Sequence, residues 1–210
     1  METFKLKLIK SSIEHKILQF GSFTLKSGRN SPYFFNSGLF HQGEMLHLLG
    51  ECYAEAILTS KVRFDHLFGP AYKGIPLVCA TAIALAQRGK ACTITYNRKE
   101  AKDHGEGGLL IGAPLQGKIL LIDDVISAGT AFRESQQLIN RSGGHITSVA
   151  LILDRCERGT DKKSAIEDIC AQGIQVLSLL TIYDILNYLQ QQNDTTAVKA
   201  IERYLDQYGR

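Results

Sequence analysis

Apolar positions repeat with a helical period at the N-terminal end of the chain. From about residue 3 to 20 the large apolar side chains fall on one broad helical face, namely Phe4, Ile9, Ile13, Ile17, Leu18 and Phe20. A second helix is predicted over about 43–59. The segment 23–38 between them contains Ser-Gly and Ser-Pro pairs, which are typical of turns. The N-terminal part is therefore predicted to be two helices separated by extended pieces and turns.

Beyond residue 60 the pattern changes to short apolar runs that alternate with helical segments. The runs predict buried strands at about 65–68, 91–96, 118–123, 146–154 and 174–180. Helices are predicted at about 75–87, 130–142, 164–170, 181–191 and 196–207. Strands that are apolar almost throughout, joined by helices, indicate an α/β fold with a mostly parallel central sheet flanked by helices. In such sheets the ligand lies beyond the carboxyl ends of the strands.

Size and composition favour an ordinary globular protein. The chain has 210 residues, of which 44% are hydrophobic and 21% charged, so 1–210 is predicted to be a single domain with a small N-terminal appendage. A net charge of +3 is too small to favour a nucleic-acid partner. No apolar run approaches the roughly 20 residues of a membrane-spanning helix, so no membrane association is expected.

The cysteines and the first residues indicate a cytoplasmic location. Five cysteines occur without a C-x-x-C pair or a zinc-ligand spacing, and an odd number in apolar surroundings predicts reduced thiols. The first ten residues alternate in charge and lack an apolar core, so no signal peptide is expected.

The most informative chemistry follows the predicted strand at 118–123. Its apolar residues run directly into Asp123 and Asp124, which are costly at a strand end unless they meet hydroxyls, a metal or cations. The small residues that follow open a helix, whose N–H groups, hydroxyls and dipole would cradle a phosphate. Carboxylates for sugar hydroxyls beside N–H groups for a phosphate suit a ribose 5-phosphate. From these residues alone a second interpretation stays open, in which an Asp caps the helix and the hydroxyls form a turn.

The run from Ile119 to Ala131 resembles the motif with which type I phosphoribosyltransferases bind phosphoribosyl pyrophosphate (PRPP): an apolar strand, two acids and a Thr-Ala-Gly-Thr-like loop. Three other segments resemble the orotate phosphoribosyltransferases: 23–36 their N-terminal hood, 68–74 their pyrophosphate loop and 97–108 their mobile catalytic loop. Arg155, just after a predicted strand, matches them too. The resemblance covers nearly the whole chain and implies the type I phosphoribosyltransferase fold, with about 1–40 contributing the hood.

The resemblance implies a PRPP site shared by several segments. The two acids would hold the ribose hydroxyls, Ser127, Gly129 and Thr130 the 5-phosphate, and the cations the departing pyrophosphate. The implied PRPP-binding residues are Lys26, Tyr72, Lys73, Arg98, Lys99, Lys102, His104, Asp123, Asp124, Val125, Ile126, Ser127, Ala128, Gly129, Thr130 and Ala131. Four of them are implied to be catalytic, namely Lys102, His104, Asp123 and Asp124. The loop at 68–74 is also expected to be strained, with a cis non-proline peptide.

The orotate site implied by the resemblance combines cations with aromatic rings. Its residues would be Lys26, Phe34, Phe35, Ser127 and Arg155. A planar anionic pyrimidine needs an apolar face to lie on and cations for its carboxylate. For the two phenylalanines alone, packing in the core remains an open alternative. Ser127 stands where the family pattern has Thr, which keeps the hydroxyl and loses a methyl group.

The segment 97–108 is predicted to be a charged, glycine-rich loop. Arg98, Lys99, Lys102 and His104 place four potential cations within seven residues. Most charge runs are simply solvated, but a lid that carries cations would close over a departing pyrophosphate. The resemblance implies that this loop is mobile and completes the neighbouring subunit's site in a homodimer.

The implied reaction transfers ribose 5-phosphate from PRPP to orotate, giving orotidine 5′-monophosphate and pyrophosphate. It would pass through a transition state like an oxocarbenium ion and need Mg²⁺, held mainly through PRPP and pyrophosphate with no firm protein ligand. A purine phosphoribosyltransferase is an alternative, but it predicts a different hood and base pocket. A PRPP-sensing regulator of the same fold is another, although it would not need a cation-bearing lid.

Overall fold

The computed structural model describes residues 2–102, 108–159 and 163–210, and it describes only the backbone of residues 101 and 102. Its helices and strands, in chain order, are α1 (Thr3–Glu14), β1 (Leu18–Thr24), β2 (Asn30–Phe35), α2 (Gly43–Ser60), β3 (His66–Gly69), α3 (Gly74–Gln87), β4 (Thr93–Lys102), β5 (Gly108–Gly112), β6 (Gly117–Asp123), α4 (Thr130–Arg141), β7 (Gly144–Asp154), α5 (Ala165–Ala171), β8 (Gln175–Thr181), α6 (Ile182–Gln191) and α7 (Thr195–Tyr208). A short 3-10 helix, Ser37–Leu39, follows β2.

The central sheet has six strands in the order β5-β4-β3-β6-β7-β8. Every neighbouring pair is parallel except β4 and β5, which are antiparallel. The prediction of an α/β fold with a mostly parallel sheet is therefore confirmed. The carboxyl ends of β3, β6 and β7 lie side by side at one edge of the sheet, because these strands are consecutive parallel neighbours.

The uniformly apolar sequence of β6 is explained by burial on both faces of the sheet. Leu120 and Ile122 belong to the larger hydrophobic cluster, which includes α1, α2, α3 and α6. Ile119 and Leu121 point the other way, into a second cluster with Phe132 of α4. Alternate side chains of a strand face opposite sides of a sheet, so a strand covered by helices on both faces has no polar side.

The first helix is shorter than its apolar pattern predicts. Helix α1 ends at Glu14, and the chain turns at Lys16, which has a φ of 57°. The Ile17 N–H then donates to the Ser12 carbonyl over 2.8 Å, which closes the helix end. Leu18 begins β1, which pairs with β2 in a separate two-stranded antiparallel sheet. The prediction of a helix to residue 20 is wrong because apolar residues at 18 and 20 also satisfy the alternation of a strand.

The segment predicted as a loop from 97 to 108 is partly regular structure. Strand β4 continues to Lys102, and β5, which was not predicted, returns antiparallel to it with Asn97 opposite Leu110. Residues 103–107 lie outside the described residues. Charged side chains are compatible with a strand here because the part of β4 beyond Tyr96 extends past β3 and pairs with β5 alone.

Two expectations about the chain as a whole can be compared with the structure. All five cysteines are described, and each is a free thiol, as predicted. Within the described residues, no helix combines the length and the apolar character needed to cross a membrane.

Candidate active site

Three loops meet at the carboxyl edge of the central sheet. Residues 70–73 follow β3, residues 124–129 follow β6, and residues 155–158 follow β7. The register of the parallel strands pairs Phe68 with Leu121 and Asp123 with Leu151, so the three chain segments leave the same edge of the sheet, with β7 running three residues beyond the end of β6. The sequence motifs at these positions are therefore brought together by the sheet topology.

The Asp124 carboxylate is the centre of the polar contacts at this edge. It is only 5% exposed. Its Oδ1 accepts the Val125 N–H at 2.8 Å, and its Oδ2 accepts from the Lys73 ammonium at 2.8 Å and from the Ser37 hydroxyl. Lys73 also donates to Ser37 Oγ at 2.9 Å. Because the ion pair is hydrogen-bonded on both oxygens, the cost of burying this charge is offset.

The neighbouring Asp123 has a different electrostatic environment. Burial raises the pKa of the Asp123 carboxyl, the charge of Asp124 raises it further, and the Lys73 ammonium opposes them. Its backbone carbonyl accepts a 2.7 Å hydrogen bond from the hydroxyl of Tyr53, which fixes the strand end. An acid in such a position gains from a hydroxyl or cation supplied by a ligand.

The loop after the two acids has the features of a phosphate-binding loop. The side chains of Val125 and Ile126 pack toward opposite hydrophobic clusters, so they are oriented into the protein. The next residues are exposed, except Gly129. Gly129 has a φ of 73°, and a Cβ there would lie 3.2 Å from the Ala165 Cβ. Among the described side chains none caps the N-terminus of α4, so its first N–H groups have no side-chain acceptor at the N-cap.

The loop after β3 is tightly folded and contains the expected cis peptide, between Ala71 and Tyr72. A Cβ on Gly69 would lie 2.4 Å from the Gly74 carbonyl oxygen, so only glycine fits at this position. The Ala71 N–H donates to Asn97 Oδ1 at 2.9 Å, which ties the loop to β4. Tyr72 is 66% exposed, and Lys73 next to it reaches Asp124.

The predicted lid cations are only partly described. Arg98 donates to the Gly108 carbonyl at 3.2 Å, across the β4–β5 pair. Lys99 is exposed, and its ammonium lies 5.1 Å from the centre of the Tyr72 ring. Lys102 ends β4, but its side chain lies outside the described part of the chain, and so does the whole of His104. Their catalytic roles stay predictions.

The structure separates the two phenylalanines predicted to bind orotate. Phe34 is exposed and stacks on Phe23 with 5.6 Å between ring centres. Phe35 points to the other side of β2, against the core, with 6.1 Å to the Phe40 ring. Lys26 is exposed in the turn between β1 and β2. Phe34 is therefore the ring available to a ligand, while Phe35 fits the packing interpretation.

Arg155 lies where β7 ends and contacts the N-terminal hairpin. Its Nε donates to Glu157 Oε1 at 2.7 Å, and its Nη2 donates to Ser31 Oγ at 3.1 Å. The guanidinium lies over the Tyr33 ring at 4.2 Å. The predicted hood and the residue after β7 are thus joined, as an orotate site built from both would require.

Four residues of the site were not predicted as site residues: Ser37, Tyr53, Asn97 and Glu157. Ser37 and Asn97 border motifs that were noticed, but their contacts cross to other elements of the fold. Tyr53 had no signal beyond its place on a helix. Glu157 follows Arg155 by two residues, a charge pattern that could have suggested the pair.

Comparisons with known proteins agree with this geometry. No family model matches the chain. The chain is 54% identical over 209 residues to an orotate phosphoribosyltransferase from Legionella pneumophila strain Paris, covering 100% of both. It is 49% identical over 212 residues to that of Cronobacter sakazakii, again covering 100% of both.

Solved structures give the same result. An orotate phosphoribosyltransferase from Francisella tularensis superposes with a TM-score of 0.89 at 40% identity, over 97% of this chain and 100% of that one. The Mycobacterium tuberculosis enzyme in complex with PRPP has a TM-score of 0.66 at 21% identity, over 86% of this chain and 98% of that one, and shows the fold alone. The chain belongs to the orotate phosphoribosyltransferase family.

Proposed function

We propose that the chain catalyses the transfer of ribose 5-phosphate from PRPP to N1 of orotate, releasing pyrophosphate, as a pentosyltransferase of pyrimidine biosynthesis. The observation that carries this proposal is the 2.8 Å contact between Lys73 Nζ and Asp124 Oδ2, beside the uncapped start of α4. It puts a cation for pyrophosphate, an acid for ribose and N–H groups for a 5-phosphate at one edge of the sheet. These are the three charged or hydroxylated parts of PRPP.

PRPP would be bound along this edge. The N–H groups and hydroxyls from Ser127 to Ala131 hold the 5-phosphate, because the helix dipole and the exposed small residues admit an anion there. Asp123 and Asp124 accept from the ribose hydroxyls. Lys73, in the loop after β3, neutralises the pyrophosphate. The cations of the lid, segment 97–108, do the same: Arg98, Lys99, Lys102 and His104. Val125 and Ile126 contribute through their backbone, since their side chains pack inward.

Catalysis would come from charged side chains that the fold positions before the substrate binds. Positive charge grows on the ribose ring and negative charge on the leaving pyrophosphate, so no covalent nucleophile is required. Asp123 and Asp124 favour the cationic ribose from one side. Lys102 stabilises the leaving group most directly, and His104 assists it when the lid closes and excludes water.

We include Mg²⁺ as the cofactor, held mainly through oxygens of PRPP and pyrophosphate. The residues fit this ion because the strand end offers carboxylate oxygens, which Mg²⁺ prefers. Asp124 is already engaged by Lys73 and Ser37, so Asp123 is the better placed of the two acids to help hold the ion. When bound, Mg²⁺ would neutralise phosphate charge during departure of the leaving group.

Orotate would lie between the N-terminal hairpin and the end of β7. Arg155 and Lys26 bind its anionic groups, and the exposed Phe34 ring contacts its face. Ser127 lies at the boundary between the phosphate loop and the pyrimidine. Phe35 packs against the core on the other face of β2, beside the Phe40 ring, and so holds the strand that carries Phe34.

The functional unit in this proposal is a cytoplasmic homodimer. Each chain is a single domain, 1–210, in which the β1–β2 hairpin and its flanking residues serve as the hood. The loop 97–108 of one subunit completes the other subunit's site. The five free thiols support a reducing compartment.

A spectrophotometric assay tests the proposal. Purified protein, PRPP and Mg²⁺ are mixed with orotate, and loss of orotate absorbance is followed, with adenine, hypoxanthine and uracil in parallel. Turnover of orotate alone, abolished by a chelator of Mg²⁺, is the expected result. Turnover of a purine would mean that the base pocket is assigned wrongly, and PRPP binding without turnover would favour a regulator.

A further inference from the structure

One carboxylate next to Arg155 is shared by two arginines. Glu157 Oε1 lies 2.7 Å from both Nε and Nη2 of Arg155, and Glu157 Oε2 lies 3.4 Å from Arg29 Nη1. The three side chains are between 15% and 20% exposed. Two guanidinium groups around one carboxylate leave the cluster with a net positive charge, which suits an anionic ligand.

The backbone that carries Glu157 is held by two distant parts of the chain. Glu157 forms an isolated β-bridge with Gly209, and the Arg158 N–H donates to the Tyr208 carbonyl at 2.8 Å. On the other side, Arg29 of the hairpin donates to the Arg158 carbonyl at 2.9 Å. The Glu157 carboxylate is therefore placed by the fold, before any substrate binds.

The Arg155 guanidinium is held along one edge and against one face. Glu157 occupies its Nε–Nη2 edge, Ser31 accepts from Nη2, and the Tyr33 ring lies against its face. The Tyr204 hydroxyl also interacts with the guanidinium, and with the Glu157 carboxylate. A free arginine loses much side-chain freedom when it binds a carboxylate, and that loss is smaller when the planar group is already oriented.

We propose that Glu157 is a positioning residue for recognition of the pyrimidine carboxylate. It orients the Arg155 guanidinium toward that carboxylate, and it does not touch the substrate itself. This inference rests on the proposed function, which assigns Arg155 to orotate. It predicts a selective loss: without Glu157 the Michaelis constant for orotate rises, while the turnover number and the constant for PRPP change little.

The test is a steady-state comparison of wild type, Glu157→Gln, Arg155→Gln and the double variant. Arg29→Gln is the comparison variant: it removes the second cation from the same carboxylate and one contact to the backbone beside Glu157, but leaves Arg155 paired, so it should raise KM for orotate less than Glu157→Gln does. Glu157→Gln is expected to raise KM for orotate about tenfold, the size of a lost charged hydrogen bond, with kcat and KM for PRPP within about twofold. In the Arg155→Gln background the same change should have little further effect.

Each alternative outcome has a distinct meaning. An unchanged KM for orotate in Glu157→Gln would overturn the inference. An equal rise of KM when Glu157→Gln is added to Arg155→Gln would overturn it too. So would an equal rise of KM in Arg29→Gln, because that would indicate general loosening of the hairpin. If Glu157→Gln fails to fold, Glu157→Asp replaces it and must still raise KM for orotate. An unchanged KM in Arg155→Gln would remove the premise about Arg155 alone, whereas a wild type inactive with orotate would contradict the proposed function itself.

Discussion

The Lys73 ammonium lies 2.8 Å from Asp124 Oδ2, so an ion pair joins the loop after β3 to the end of β6. The Lys73 side chain is 58% exposed and that of Asp124 only 8%, so the pair presents its cation outward. Ser37 contacts both groups and links them to the segment after β2. In the proposed function the buried acid accepts from the ribose hydroxyls and the exposed cation neutralises the pyrophosphate.

Replacing Asp124 with Asn keeps the shape of this side chain and removes its charge. We expect kcat/KM for PRPP to fall by about 100-fold, because a preset charge that stabilises the transition state is lost. The assay is PRPP-dependent loss of orotate absorbance. Asp65→Asn is the control. Asp65 accepts the Lys118 N–H at 2.9 Å at the opposite end of β6, so this variant should keep an activity near that of wild type. Equal activity of the two variants would refute the role of Asp124.

Sequence alone predicted the elements whose determinants are local. The acids at 123 and 124 and the loop after them follow an apolar strand and open a helix, so their position at the ligand edge could be inferred. The end of α1 could not be inferred, because Leu18 and Phe20 fit a helix and a strand equally well. The contact of Ser37 with Asp124 and that of Glu157 with Arg29 were missed because the partners lie far apart in sequence, whereas the pair of Arg155 and Glu157 is local and could have been inferred.

A substitution of Gly129 tests the role of the phosphate loop separately from that of Asp123 and Asp124. Gly129→Ala forces a side chain into a φ of 73° and against Ala165. We expect a stability loss of about 1 kcal/mol or more from backbone strain and a KM for PRPP raised about tenfold, because the N–H groups move. Gly173→Ala is the matched control, with a φ of 78° and nothing within 4 Å of the new Cβ. It should lose stability without losing PRPP affinity, and a similar change of KM in both would contradict the assignment.

Lys102 is assigned the largest single effect on turnover. Lys102→Ala should lower kcat by about 100-fold, since a lid cation acts mainly on the departing pyrophosphate. Lys90→Ala is the control, because its ammonium lies 4.3 Å from the Phe64 ring, in a contact outside the assigned site. Pre-steady-state rates of product formation would measure the effect. A kcat for Lys102→Ala within a few-fold of wild type would show that the assignment is wrong.

Mixing two inactive variants tests whether the lid serves the neighbouring subunit. Lys102→Ala has an intact strand end and Asp124→Asn an intact lid, so a mixed dimer would contain one complete site. Random reassociation of equal amounts should restore about one quarter of wild-type activity, because half the dimers are mixed and each has one of two sites. Activity no higher than that of the separate variants would contradict the shared site, and sedimentation would verify that mixed dimers form.

His66 makes folding stability depend on pH. It is buried at the start of β3, with its ring nitrogens 2.5 Å from Thr93 Oγ1 and 2.8 Å from Thr95 Oγ1. Burial lowers the pKa of His66 below its ordinary value of 6.5. The unfolded chain therefore binds the proton more readily, and stability should fall as the pH drops below 6.5, by at most about 1.4 kcal/mol per pH unit.

Urea unfolding of wild type and His66→Asn at several pH values would measure this effect. The variant should be less stable at pH values above 6.5, where the neutral ring is fully hydrogen-bonded, and its stability should depend less on pH below that value. His15→Asn, which replaces a histidine with no such burial, is the control. A wild-type profile that His66→Asn leaves unchanged in slope would contradict the role given to this residue.

The choice of acceptor base tests the proposed function most directly. PRPP and Mg²⁺ would be incubated with the protein and an equimolar mixture of orotate, adenine and hypoxanthine, and the nucleotides formed would be identified by mass spectrometry. The proposed function predicts orotidine 5′-monophosphate as the product, formed with one pyrophosphate per nucleotide. Formation of a purine nucleotide, or consumption of PRPP with no nucleotide, would contradict it.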